Sequence, residues 1–295
     1  LIGSNPILSA CKFKSHQLGD LMTIFEYDKI TRELRYFFSA KKGFTEVPAQ
    51  SRKSILAACE DPTTVSQYIF SGQNWPLPQT GQMWLEYELL KNPEPAGYFC
   101  LTTSYRMEKN PVEDRHDLIF PLFEFEMKGG LEDMIVLEKE FLEHLGFGNK
   151  DSFAGENYLD MAKKYEVKEL EHEHEEQLRK DYGPVFFLKM FPNYTSPFWN
   201  MKQSGDGETA NKVDVILHGV ETIGSAQRSS DPEEMRKQFY SISDGQYANI
   251  LFSNFTKERV EKELDEFLTN KFTERSGGGI GVTRMIRAMK LSGLM

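Results

Sequence analysis

Tyr98-Phe-Cys-Leu-Thr-Thr-Ser-Tyr-Arg106-Met-Glu108-Lys-Asn-Pro-Val-Glu-Asp-Arg115-His116-Asp-Leu-Ile-Phe120-Pro-Leu-Phe-Glu124-Phe-Glu126-Met127 is the stretch on which the fold turns. Its first six residues are of β-forming type. Beyond Phe120, the apolar Phe123, Phe125 and Met127 alternate with Glu124 and Glu126 at period two. The spacing predicts two antiparallel strands flanking a polar loop that carries Arg, Lys and His. Those residue types on a hairpin point to an anion site.

A second such signal lies in the last twenty residues, Ser276-Gly-Gly-Gly-Ile-Gly-Val-Thr-Arg284 through Met295. Glycine lets the backbone approach a ligand with no Cβ in the way. Val282, Met285, Ile286 and Met289 then recur at helical spacing, with Arg284 on the first turn. A helix N-terminus beside an arginine binds anions; a tight strand-to-helix turn is the alternative reading. A dinucleotide fingerprint is excluded because no βαβ unit follows.

The remaining chain supplies a mixed α/β pattern. Ile30, Leu34, Phe37 and Phe38 predict a helix over 28–42, stopped by Gly43, with a strand at Phe44–Val47. Leu131–Leu145 is an amphipathic helix and 146–157 a loop. Tyr158–Asp181 is a charged helical stretch; His172 and His174 lie two apart, so a helix points them away from each other rather than at one metal. Pro184–Pro192 and Pro197–Lys202 read as apolar strands, and 231–240 and 256–272 as amphipathic helices. Residues 1–27 form an irregular N-terminal segment before one domain over 28–295.

With 295 residues, 39% of them apolar and 22 of them Phe, the chain can build a substantial core. No run of 18 apolar residues and no signal-peptide core occur, and Cys11, Cys59 and Cys100 have no paired spacing. A cytoplasmic protein with no membrane partner is expected. The net charge of −10 argues against a broad nucleic-acid surface, so no DNA partner is expected.

Taken together, these segments resemble the class II aminoacyl-tRNA synthetases, in their aspartate/asparagine branch. Tyr105-Arg106-Met-Glu108, Arg115-His116, Phe120 and Glu124-Phe-Glu126 follow that family's motif 2, with Ile119 where relatives usually carry Glu. Gly277-Gly-Gly-Ile-Gly281 with Arg284 follows motif 3. The helix from Asp28 and Gly43-Phe-Thr-Glu-Val47 are similar to motif 1, although the family's proline usually sits two residues later than Pro48. Ala58-Cys59-Glu60-Asp61 looks like the asparaginyl enzymes' DCEG loop. Leu77-Pro-Gln-Thr80-Gly-Gln82-Met-Trp-Leu85-Glu86 is similar to their pocket helix, and Asp214 through Gly224 and Arg228 to their "DVLxPxIGExIGGSQRE" run.

The resemblance implies an α+β fold, an antiparallel sheet flanked by helices, and a homodimer through motif 1. It implies ATP bound by Arg106, Glu108, Arg115, His116, Phe120, Gly279, Gly281 and Arg284, with Arg106 and Arg284 catalytic. Glu60, Thr80, Gln82, Gly224 and Arg228 would hold the amino acid, aspartate or asparagine. Glu221, with Asp214 the weaker candidate, would ligate Mg²⁺. The chemistry implied is formation of an aminoacyl-adenylate with release of pyrophosphate. Aspartyl enzymes carry a Lys where this chain has Leu85, which favours a neutral amide substrate or a carboxylate read by other groups. Three readings stand: a ligase of aspartate and ammonia resembling asparagine synthetase A, an asparagine-activating enzyme with tRNA or another acceptor, and a silent paralogue that binds a nucleotide or a partner protein.

Overall fold

The computed structural model describes residues 22–49, 53–58, 61–108, 117–205 and 207–295. Helix α1 (Ile24–Arg35) runs on through a wider π turn (Tyr36–Lys41) to strand β1 (Thr45–Glu46). Helix α2 (Ser54–Ala57), the hairpin β2 (Gln67–Phe70) and β3 (Gln73–Pro76), and helix α3 (Gln82–Lys91) lead to β4 (Gly97–Tyr105) and β5 (Ile119–Lys128). Then come α4 (Leu131–Leu145), β6 (Ala154–Asn157), α5 (Tyr158–Lys164), α6 (His172–Tyr182), β7 (Val185–Pro192), β8 (Thr209–Leu217) and β9 (Val220–Gln227). The last elements are α7 (Pro232–Ser241), α8 (Gln246–Phe255), α9 (Lys257–Leu268), β10 (Arg275–Gly281) and α10 (Val282–Leu291).

Eight strands form one sheet in the order β1-β4-β5-β10-β9-β8-β7-β6. The interior pairs are antiparallel, as expected, while the edge pairs β1–β4 and β6–β7 are parallel. One face packs Phe99, Phe123, Phe125, Val213, Val215 and Ile280 against α1, α4 and α10. Helices α7, α8 and α9 build a second core on Trp199, Met235, Phe239, Tyr247 and Phe267. The period-two alternation of β5 therefore sends its phenylalanines into the first core and its glutamates to the opposite face.

Several expectations shift. Helix α1 starts at Ile24, four residues before Asp28, because Thr23 and Glu26 form a capping box: each side chain accepts the other's backbone N–H, at 3.2 and 2.6 Å. Ile24 and Phe25 are exposed, so the apolar spacing starts only at Ile30. Gly43 takes φ +72°. The 158–181 stretch is two helices, not one, and within 146–157 residues 154–157 pair as edge strand β6. Pro197–Lys202 is not a strand. Trp199 there is fully buried, edge-on to Phe239 and Phe267, and only Met201 bridges to the sheet, at Arg228. A short apolar run reads the same in either setting.

The glycine run, read from sequence as a ligand-approaching segment or a tight strand-to-helix turn, is central strand β10, between β5 and β9. A Cβ on Gly277 would lie 2.3 Å from the Phe125 carbonyl oxygen and 2.1 Å from the Glu126 carboxylate, and one on Gly278 would lie 2.5 Å from the Ser225 Cβ. These two glycines let three strands and their side chains pack. A Cβ on Gly279 would make only ordinary contacts, with Glu124 and Leu122 at 3.6 Å.

Beneath the sheet, α4 buries Glu138 completely, near the Ser225 hydroxyl, which donates to Val213 O at 3.2 Å. Burial pushes this carboxyl up to about 8 from its ordinary 4.5, with Ser225 offsetting part of the rise. The folded state therefore favours the protonated acid. Its stability is unaffected below about pH 4.5 and declines as pH rises from there through 8. Glu138→Gln is expected to remove this decline, making the variant more stable than the parent by about 2–4 kcal/mol at pH 8.5 and similar to it at pH 4.5. Urea unfolding of both proteins across that range checks it; parallel pH profiles would contradict the assignment.

Candidate active site

The site lies on the glutamate-bearing face of the sheet, in a cavity of about 380 Å³. Of the residues expected there, Thr80, Gln82, Arg106, Glu108, Phe120, Glu221, Gly224, Arg228, Gly279, Gly281 and Arg284 all line it. They come from five separate segments spanning two hundred residues, brought together by the β4-β5-β10-β9-β8 strand order. Glu60, Arg115 and His116 lie outside the described residues.

Arg106 leaves the end of β4, where its backbone N–H donates to Leu118 O at 2.8 Å. Its guanidinium lies over the Phe120 ring, 5.4 Å from the centroid. Phe120 was expected to offer a ring face to adenine; Arg106 already covers one face, leaving the other. Arg284 sits on the first turn of α10, directly after the glycine strand. It donates to the Glu221 backbone oxygen at 2.8 Å, and its Nη1 lies 3.9 Å from the Glu221 carboxylate. Two guanidinium groups, one near the middle of the chain and one near its last residues, thus face the same space.

Glu221 and Asp214 belong to the β9–β8 hairpin, closed by His218 and Gly219 in left-handed conformations. A Cβ on Gly224 would lie 2.9 Å from Glu221 Oε1 and 3.7 Å from Asp214 Oδ1. The missing side chain leaves a cradle on which two hard oxygen donors converge. Glu175 accepts the Glu221 backbone N–H at 3.0 Å and fixes that end of β9.

Thr80 and Gln82 lie at the start of α3, where the Thr80 hydroxyl and the Gln82 side-chain nitrogen are engaged and Gln82 Oε1 is buried without a hydrogen-bond partner. The Thr80 hydroxyl donates to Glu124, whose other oxygen accepts Gly81 N–H at 2.7 Å. The Gln82 amide donates to Phe125 O at 2.7 Å and to Glu126. Both line the cavity and also position the two motif glutamates. Leu85 packs on Leu89, Tyr98 and Cys100, away from the cavity.

Arg228 is 5% exposed and pairs with Glu126 at 3.2 Å, its Nη2 also donating to Gly277 O at 3.1 Å. Burial pushes both glutamates up to about 7, with Arg228 the main opposing influence on Glu126 and the Thr80 hydroxyl on Glu124. Beneath this floor, Glu86 pairs with Arg275 at 2.7 Å, both side chains fully buried, and accepts from Asn200 at 2.8 Å.

The sequence reading did not assign Glu124 or Lys212 to the site, although both line the cavity, nor Glu126, which pairs with Arg228. The two glutamates were legible as charged residues alternating with phenylalanines inside a strand. Lys212 had no signal beyond its place two residues before Asp214.

A family model described as tRNA synthetases class II (D, K and N) matches residues 17–293. The aspartate–tRNA(Asp) ligase of Pyrobaculum aerophilum is 33% identical over 66 residues, 22% of this chain and 15% of that protein. The asparaginyl-tRNA synthetase of Pyrococcus horikoshii, complexed with asparaginyl-adenylate, superposes with a TM-score of 0.70 at 20% identity, over 90% of this chain and 65% of that one. The asparaginyl-tRNA synthetase of Entamoeba histolytica, also with asparaginyl-adenylate, gives 0.69 at 16% identity, over 91% and 63%. This chain thus spans just under two thirds of the length of these two structures.

Proposed function

The chain belongs to the class II tRNA synthetases of the D, K and N group, and from that premise we propose that it activates the carboxylate of a small amino acid by adenylation with ATP. The observation that carries this reading is one cavity lined by Arg106, Glu221 and Arg284, with Asp214 close behind Gly224. In the proposed reaction a substrate carboxylate oxygen attacks the α-phosphorus of ATP, and the bond from that phosphorus to pyrophosphate breaks. The attacking group is already ionised, so no general base is needed. Arg106 stabilises charge that builds on the α-phosphate, and Arg284 the departing pyrophosphate. Catalysis is positioning and electrostatics.

Glu221 and Asp214 fit Mg²⁺, which commonly takes one or two carboxylates and completes its shell with phosphate and water oxygens. Among the described residues no cluster of three or more His, Cys, Asp or Glu stands ready as a closed metal cage. The ion's contribution is to neutralise phosphate charge. Glu124 offers an acceptor to the substrate's ammonium group, and Arg228 a donor to its far end.

Aspartate is the proposed substrate and ammonia the proposed acceptor. Ammonia attacks the activated acyl carbon, the acyl–oxygen bond to AMP breaks, and the extra proton goes to solvent. The net charge of −10 favours a small acceptor over a polyanion such as tRNA. The second reading, asparagine activation, is favoured by the Arg228–Glu126 pair, which offers a donor and an acceptor to an amide. A silent paralogue is disfavoured by the presence of both arginines and the cradle.

The test is amino-acid-dependent pyrophosphate exchange with aspartate and with asparagine, followed by AMP release with ammonia present. Exchange with aspartate and ammonia-dependent AMP release are expected. Exchange with asparagine alone would exclude the ammonia ligase, and no exchange with any proteinogenic amino acid would leave a silent binding protein.

A further inference from the structure

We propose that Glu263, which stands on α9 outside the cavity, is a positioning residue for the amino-acid end of the site: its carboxylate caps the short helix α2 and so fixes the rim residues Ala58 and Asp61. The inference rests on the adenylation reading and deepens it.

Helix α2 begins where its own sequence offers no cap. Lys53 occupies the N-cap position, carries no acceptor and makes no capping bond. The first N–H groups of a helix need partners from outside it. A residue 209 positions further along the chain supplies one. Glu263 Oε2 accepts the Ser54 backbone N–H at 2.6 Å, the Ser54 hydroxyl at 2.6 Å and the Ile55 N–H at 3.4 Å. Its other oxygen accepts from Arg259 Nε at 2.9 Å, one turn earlier on α9, which fixes the carboxylate in place. Glu263 is 8% exposed and Ser54 is fully buried. An ionised acceptor in such surroundings holds its donors more firmly than a neutral one. Lys53 adds an ion pair with Glu266 of α9 at 2.5 Å, but both partners reach solvent and the pair contributes little.

The tether matters because of what α2 carries. All four of its residues are buried, and it ends directly at Ala58, which lines the cavity. Gln79 holds the same segment from the other side. Its backbone N–H donates to Ala57 O at 2.9 Å, and its side-chain amide donates to Asp61 O at 3.0 Å. Asp61 lines the cavity as well, and Gln79 directly precedes Thr80. The rim is thus clamped between α9 and the start of α3. Ala58 shares one apolar cluster with Met83, Phe198 and Met201, all three of which line the cavity, and Met201 bridges to Arg228. This is the end assigned above to the amino acid, while Arg106, Phe120 and Arg284 serve the nucleotide. Releasing the α9 side of the clamp therefore loosens one substrate's end of the cavity and leaves the other's in place.

Pyrophosphate exchange by Glu263→Met, with Glu263→Gln as the conservative variant, tests this. Met matches Glu in length but lacks its oxygens, whereas Gln keeps one carbonyl oxygen for Ser54. Glu263→Met is expected to raise the KM for the amino acid that the parent activates by roughly 10-fold, because a small displacement of the rim misplaces a small ligand. The KM for ATP should stay within about two-fold, and Glu263→Gln should recover most of the amino-acid affinity. Ser54→Ala removes the hydroxyl donor alone and should raise the same KM by about two- to four-fold. An unchanged amino-acid KM in folded Glu263→Met overturns the proposal. So does an equal rise in the KM for ATP, or a fall in kcat with both KM values fixed, which is the mark of a smaller folded fraction. Circular dichroism and thermal melting check folding; if Glu263→Met does not fold, Ser54→Ala decides, and a parent-like KM there overturns the proposal. If the parent exchanges with no amino acid, the adenylation reading fails separately, and hydrogen exchange at the Ser54 and Ile55 amides decides for the tether. Faster exchange in Glu263→Gln than in the parent supports it, and equal exchange overturns it.

Discussion

Replacing Arg106 by Ala is expected to lower amino-acid-dependent pyrophosphate exchange by roughly 100- to 1,000-fold while leaving the fold intact. The size follows from where the charge stands. Arg106 is half-buried in the cavity wall, held by its backbone bond to Leu118 and by the Phe120 ring. A donor fixed before the reaction, in a site that excludes most water, needs no reorganisation as negative charge develops on the α-phosphate. The loss should fall on kcat more than on KM for ATP, because the developing charge is greater in the transition state than in the bound nucleotide. Arg106→Lys keeps the charge but loses the planar fork, and intermediate activity is expected. The side chain lies outside the main apolar clusters, so the melting temperature of the Ala variant should move by only a few degrees. Parent-like exchange in a folded Arg106→Ala protein would end the adenylation reading of this cavity.

The second large effect is on stability. Arg275 and Glu86 are both fully buried and 2.7 Å apart, below the pocket floor. Arg275→Met leaves Glu86 without its counter-charge in the interior and should cost about 3–5 kcal/mol. Glu86 is also held by Asn200, so some stabilisation of the carboxylate persists. Making Glu86→Leu in the same chain removes the stranded charge and should recover much of the loss, though the Asn200 amide then lacks its acceptor. Urea denaturation of the parent, the two single variants and the double variant measures the coupling. A single variant within about 0.5 kcal/mol of the parent would show that the pair contributes little.

Glycines 277 and 278 show how a correct motif can be misread locally. Four glycines in five residues read as a turn or a ligand-approaching segment because glycine is a poor strand former, and nothing in the string says which atoms will lie beside them. Only the close approach of Phe125, Glu126 and Ser225 explains why a central strand carries no side chains there. The hairpin β4–β5, by contrast, was legible in full, since period-two alternation over long strands is a strong local signal. Helix α8 between Gln246 and Phe255 went unread. Its buried Tyr247, Ala248, Leu251 and Phe255 have the right spacing, but the helix sits between two turns within a short stretch.

Thr80 and Gln82 make the same point for the site. Their position in the pocket followed from the order of letters, yet the Thr80 hydroxyl and the Gln82 side-chain nitrogen turned out to hold Glu124 and Glu126. The sequence by itself determined the family, the antiparallel sheet with its flanking helices, and most of the charged residues that meet at the cavity. Residue type and the local periodicities of two and 3.6 account for the mixed α/β pattern and the arginine-bearing anion site, while the family and its sheet followed from the resemblance of the motifs. The tertiary structure alone decided which charges neutralise each other, which glycines serve packing, and that Lys212 enters the pocket from β8. Each of these depends on which strands become neighbours, and a contact such as Arg228 with Glu126 joins residues a hundred positions apart that no local pattern can pair.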